Sequence, residues 1–115
     1  MSELLREHLE RFNAGVESEE WAEMMEQFED EAELEFRGVP AGPFVGKDAI
    51  AAAYLEQPPD DQVRVLEERE REGVVEARYA WLAEPHVAAG EMFLTPQGGR
   101  IRKLVVTFDR GVAWN

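Results

Sequence analysis

Residues 31–36 read Glu31-Ala-Glu-Leu-Glu-Phe36 and alternate acid with apolar residue without a break. That is the period of a strand with one wet face, and it turns Ala32, Leu34 and Phe36 inward. Just upstream the period differs. Trp21, Met24, Met25 and Phe28 stand at i, i+3, i+4 and i+7, the stripe of an amphipathic helix. Near Phe28 the chain thus passes from a helical to an extended pattern, and this change decides the fold class: helices first, a sheet after.

Reading back toward the start, Leu5, His8 or Leu9, Phe12 and Val16 recur at helical spacing. Ser2 is placed to cap this helix and Gly15 to stop it. Ser18 is placed to cap the next, with Glu19 and Glu20 near its positive end. Reading forward, a loop rich in Gly and Pro (38–46) leads to a third helix, Lys47 to Glu56, ended by Pro58-Pro59. Four strands are expected beyond it. Gln62–Arg71 and Val74–Ala83 flank the turn Glu72-Gly73, and Val87–Thr95 and Ile101–Asp109 flank Pro96-Gln-Gly-Gly99. Val75, Ala77, Tyr79 and Trp81 share one face. The plan is α+β: three helices from the N-terminal half, packed on a mostly antiparallel sheet.

The chain has 115 residues, 44% of them hydrophobic, which suits a single domain spanning 1–115. It has no cysteine, so thiolate chemistry and cysteine metal sites are excluded. With only His8 and His86 as imidazoles, no metal site and no cofactor are expected. The net charge is −13, and 13 of the 25 acids fall in residues 1–35. An acid-coated helical layer repels phosphate backbones, so nucleic acid is not an expected partner. No apolar run has the length of a membrane span and the start does not read as a leader, so a cytoplasmic protein is expected.

Three local sequences carry a resemblance. Phe12-Asn-Ala-Gly15 is similar to the end of the first helix of the ketosteroid isomerase, SnoaL-type polyketide cyclase and nuclear transport factor 2 family. Phe28-Glu-Asp-Glu-Ala32 resembles that family's acidic turn before its first strand, and Gly42-Pro-Phe-Val-Gly-Lys-Asp-Ala-Ile50 the approach to its third helix. The match in order and spacing runs over nearly the whole chain. It implies a strongly bent sheet and a cone-shaped pocket between sheet and helices.

The resemblance also implies where chemistry would sit. The isomerase's carboxylate base falls on Phe36, which cannot take a proton. Its tyrosine falls on His8 and its neutral acid on Glu91. Glu91 lies in the apolar stretch Ala88-Ala-Gly-Glu-Met-Phe-Leu94. If it faces the pocket, lost solvation would raise its pKa and fit it for acid–base work. If it faces outward, it is solvated or paired with Arg78 or Arg102. His8 is either a pocket donor or acceptor or a half-wet boundary residue. His86, after Glu84-Pro85, reads as an exposed turn residue. Phe36, Tyr54, Tyr79, Trp81, Trp21 and Phe93 are the expected ligand-binding wall, which would suit a small apolar molecule with one or two oxygens.

Three functions compete on these grounds. One is a small-ligand-binding protein or an enzyme of unassigned chemistry. The second is a steroid isomerase-like or polyketide cyclase-like enzyme using Glu91, with metal-free acid–base chemistry. The third is a non-catalytic interaction module that pairs with a second copy through its sheet. The third reading puts Leu104, Val106 and Phe108 on an apolar outer face.

Overall fold

The structure is a computed structural model and describes residues 2–108. Helix α1 spans Glu3–Ser18, α2 Ala22–Met25 and α3 Lys47–Glu56. The strands are β1 (Phe28–Arg37), β2 (Phe44–Val45), β3 (Val63–Arg71), β4 (Val74–Trp81), β5 (Gly90–Gln97) and β6 (Arg100–Thr107). They form one six-stranded sheet in the order β2-β1-β6-β5-β4-β3. β3 to β6 make an antiparallel meander, and β1 adds to β6 in parallel. The sheet is therefore mixed, and it is not closed, with β2 and β3 at its edges. Register shifts in the β1–β6, β3–β4 and β5–β6 pairs are the kind of irregularity that bends a sheet.

Helix α1 begins as expected, with Ser2 Oγ accepting from the Leu5 amide at 3.2 Å. Leu5, His8, Leu9 and Phe12 form its buried stripe. Its end differs from the expectation. Gly15 does not stop the helix, which runs on to Ser18 and closes where Glu19 turns left-handed (φ 64°) and donates to the Gly15 carbonyl. Glycine is needed at 15 for space: a Cβ there would meet the Trp21 ring at 2.4 Å. Ser18 accordingly caps no second helix. α2 is a single turn starting after Trp21, yet Trp21, Met24, Met25 and Phe28 are all buried as their spacing predicts.

The second hairpin is also tighter than expected. It turns on Gly98-Gly99, and Pro96 lies inside β5 at the register shift with β6. A bulge is one of the few places a strand accepts proline. Strand β6 turns the other way from its expectation. Leu104 and Val106 are buried on the inner face, and Phe108 packs against the same core. They do not form an apolar outer surface. Asp109 lies outside the described residues.

Candidate functional site

Between helices and sheet lies a cavity of about 620 Å³, open at one end. This volume is in the range of small-molecule sites, roughly 300–1,000 Å³. Two sets of side-chain hydrogen bonds tie together the elements that form its walls. Asn13, on α1, grips the start of β3: its side-chain amide donates to the Val63 carbonyl at 3.0 Å, and its carbonyl accepts from the Val63 amide at 2.9 Å. At the far side Tyr79 donates its hydroxyl to the Thr107 carbonyl at 2.7 Å. That bond passes where β5 begins, at Gly90. A Cβ there would lie 1.9 Å from the Thr107 carbonyl oxygen, so only glycine fits.

The wall is mostly aromatic and aliphatic. Phe36 packs edge-on to Phe44 (6.1 Å between centroids) and tilted against Phe108 (5.8 Å), and Tyr79 packs edge-on to Trp81 (5.6 Å). Tyr54 closes the side under the helices, 4.9 Å from Trp21 and 6.4 Å from Phe12. Val39, Pro40, Glu56 and Gln57 stand exposed around the open end.

Two polar side chains reach this wall from within. His8 is buried, its ring edge-on to Phe28 at 5.6 Å. Its Nδ1 is 3.3 Å from Gln27 Oε1. Burial outweighs that bond and, with the positive charge of Arg11, pushes the imidazole pKa down from 6.5 to about 4. His8 is therefore neutral near pH 7. Burial also pushes the Tyr54 hydroxyl above its ordinary value, so it stays protonated and can donate.

Of the residues expected at the site, His8, Phe36, Tyr54, Tyr79 and Trp81 line this cavity together. Three do not. Trp21 is buried beneath Tyr54 and Phe12 and belongs to the core beside the cavity. Glu91 and Phe93 lie on the outer face of β5, because Gly90, Met92 and Leu94 take the buried positions and strand side chains alternate. Glu91 stands opposite Arg78 in the ladder, and its amide donates to Thr107 Oγ1 at 2.8 Å. A pocket-facing carboxylate at 91 is thus corrected: the residue of β5 that meets the cavity is Met92. His86 is exposed in the loop before β5, as expected.

Sequence reasoning missed Met92 and the inner residues of β6. Both strands are apolar on both faces there, so alternation is weak. The one charged residue, Glu91, was itself the signal for the outer face. Gln27 was also missed: it follows the exposed Glu26 between Met25 and Phe28, and no spacing marks it as the buried one of the two. Among the described residues no group of three or more acidic or imidazole side chains could hold a metal, and no helix is long and apolar enough to cross a membrane.

No family model and no curated protein matches the sequence. Solved structures do. An NTF2-like protein of unknown function from Mesorhizobium loti is similar at TM-score 0.62 and 21% identity, covering 94% of this chain and 93% of that one. Another, from Burkholderia xenovorans, is similar at TM-score 0.68 and 12% identity, covering 98% and 88%. A de novo designed protein with a curved β-sheet is similar at TM-score 0.65 and 15% identity, covering 95% and 88%. At such identities the likeness speaks for fold and not for chemistry. With its helices laid over a curved, unclosed sheet in the manner of those proteins, the chain has the nuclear transport factor 2-like fold.

Proposed function

We propose that the protein binds a small, flat, mostly apolar molecule with one or two oxygens, seated in the cavity against Phe36, Tyr79 and Trp81. His8 and Tyr54 are its polar contacts. The observation that carries this reading is the cavity itself: about 620 Å³ of mostly apolar space with a buried, neutral imidazole on its wall. Apolar burial supplies the affinity and the few polar groups set orientation. If the protein also turns its ligand over, the acid–base groups at hand are His8 and Tyr54, without a metal. A histidine pushed down to about 4 is a weak base, so Tyr54 would act as hydrogen-bond donor and His8 as acceptor. An isomerase or cyclase route through Glu91 forms no part of this proposal, since Glu91 and the cavity are on opposite faces of β5.

The test is a thermal-shift screen of steroids, polyketide fragments and small lactones on wild type and on Met92→Trp, which fills the cavity. A compound that raises Tm of the wild type and not of the variant supports the reading. A compound that raises both equally binds elsewhere, and no response to any compound counts against an open, ligand-binding cavity.

A homodimer through the outer sheet face is a second reading, which one observation favours. Phe93 is a half-buried apolar residue on that face, beside its buried cross-strand partner Val105 and flanked by the ion pairs Arg69–Glu76 and Lys103–Glu33. Phe93→Glu should shift a dimer to monomer in light scattering. A wild type that is monomeric at high concentration would remove this reading.

A further inference from the structure

Gln27 joins the cavity to a second pocket. Its Oε1 meets His8, which lines the cavity, and Gln27 itself lines a separate pocket of about 330 Å³. Arg11 of α1, Lys47 at the start of α3 and Arg100 of the β5–β6 turn also line this second pocket. Among the described residues none of these three cations is within ion-pairing distance of a carboxylate. Glu7 and Glu26 share the wall but close no ion pair with them. Arg11 spends Nη1 on the Glu23 carbonyl at 2.8 Å. In a chain of net charge −13 with 12 bases, acids are plentiful enough to pair every base. Three such bases against Glu7 and Glu26 leave the pocket wall with one positive charge in excess, in a chain that is strongly negative as a whole.

Gln27 supplies an independent observation. It is only 5% exposed, and its Nε2 is buried with no acceptor among the described residues. A buried amide N–H without an acceptor is costly, which calls for an acceptor that the protein does not provide. Lys47 also opens a ten-residue helix, so the pocket lies by that helix's positive end.

We propose that this second pocket holds a small oxyanion, a phosphate or a carboxylate, ringed by Arg11, Lys47 and Arg100, with an oxygen accepting from Gln27 Nε2. The site goes beyond the cavity reading and does not depend on it. Its occupancy has a consequence inside the cavity. With Nε2 held by the anion, Gln27 keeps Oε1 toward His8, so His8 carries its proton on Nδ1 and offers the Nε2 lone pair to the cavity. The anion therefore sets the hydrogen-bonding sense of His8.

The experiment titrates the ¹⁵N-labelled full chain with sodium phosphate, sodium acetate or sodium chloride at constant ionic strength, following Tm and the His8 ring nitrogens. Phosphate, acetate or both should give a saturable stabilisation that chloride does not, and the stronger of the two names the preferred oxyanion. The double variant Lys47→Gln/Arg100→Gln should weaken that binding roughly tenfold or more, as loss of charge-assisted bonds requires. Arg6→Gln, on a cation outside the pocket, and Met92→Trp, in the cavity, should leave it unchanged. Stabilisation equal to that by chloride, or binding retained in the double variant, overturns the site. His8 found protonated on Nε2 at saturation overturns the role given to Gln27.

Discussion

The two faces of the sheet are built from the same strands and obey different rules. On the inner face, Tyr79, Met92, Leu104 and Val106 present no charge, and the polar atoms that reach it are spent or neutral. On the outer face, the neighbours of those residues carry charge: Glu76 with Arg69 (2.7 Å), Arg78 with Glu67 (3.4 Å), Lys103 with Glu33 (3.6 Å). Moving one residue along β5, from Met92 to Glu91, crosses from one regime to the other. The inner face tolerates little because packing and desolvation act there together. The outer face tolerates much because water screens its charges.

The largest effect should come where the inner face is closed at Gly90. Gly90→Ala puts a methyl group 1.9 Å from the Thr107 oxygen, within the line of the Tyr79 hydroxyl bond. Backbone must move, and the expected loss is on the order of 3–5 kcal/mol by denaturant unfolding. A loss under about 1 kcal/mol would show that β5 and β6 do not approach so closely.

His8 is next. Its folded pKa, about 4, is below its ordinary 6.5, so the unfolded chain binds the extra proton first. This contribution is therefore fully present above pH 6.5 and is lost as pH falls toward 4, by up to roughly 3 kcal/mol. The stability–pH profile of His8→Leu should lack that decline. Profiles that run parallel between pH 4 and 6.5 would place His8 in water.

The smallest effect belongs to the outer face. Glu76→Ala removes a partly exposed ion pair with Arg69 and should cost no more than about 1 kcal/mol, less at high salt. A larger, salt-insensitive loss would mean that this face is buried against a partner.

The same contrast explains what could be read before the structure. Where one face is charged, as in Glu31–Phe36 and Val75–Trp81, alternation fixed the inner set correctly. Helix stripes were equally clear: Leu5, His8, Leu9 and Phe12 are buried together. Where the alternation is weak, in Ala88–Leu94 with Glu91 as its one charge and in Leu104–Phe108 with none, the register is poorly marked, and one residue reverses it. Glu91 and Phe93 moved out and Met92 moved in for that reason. Gly15 misled because glycine serves close approach as well as helix ends, and its reason for being there, the Trp21 ring, is a contact across a turn. The His8–Gln27 pair spans 19 residues and two elements, and no spacing announces it.

The central claim is that the inner face borders an open binding cavity and that Glu91 stands outside it. The most direct measurement is fluorescence titration with a naphthol, a flat apolar probe bearing one hydroxyl, on wild type, Glu91→Gln and Met92→Trp, with folding checked by circular dichroism. The wild type and Glu91→Gln should bind with the same Kd, and Met92→Trp should bind at least roughly tenfold more weakly. Loss of binding in Glu91→Gln, or full binding in a folded Met92→Trp, would contradict the account.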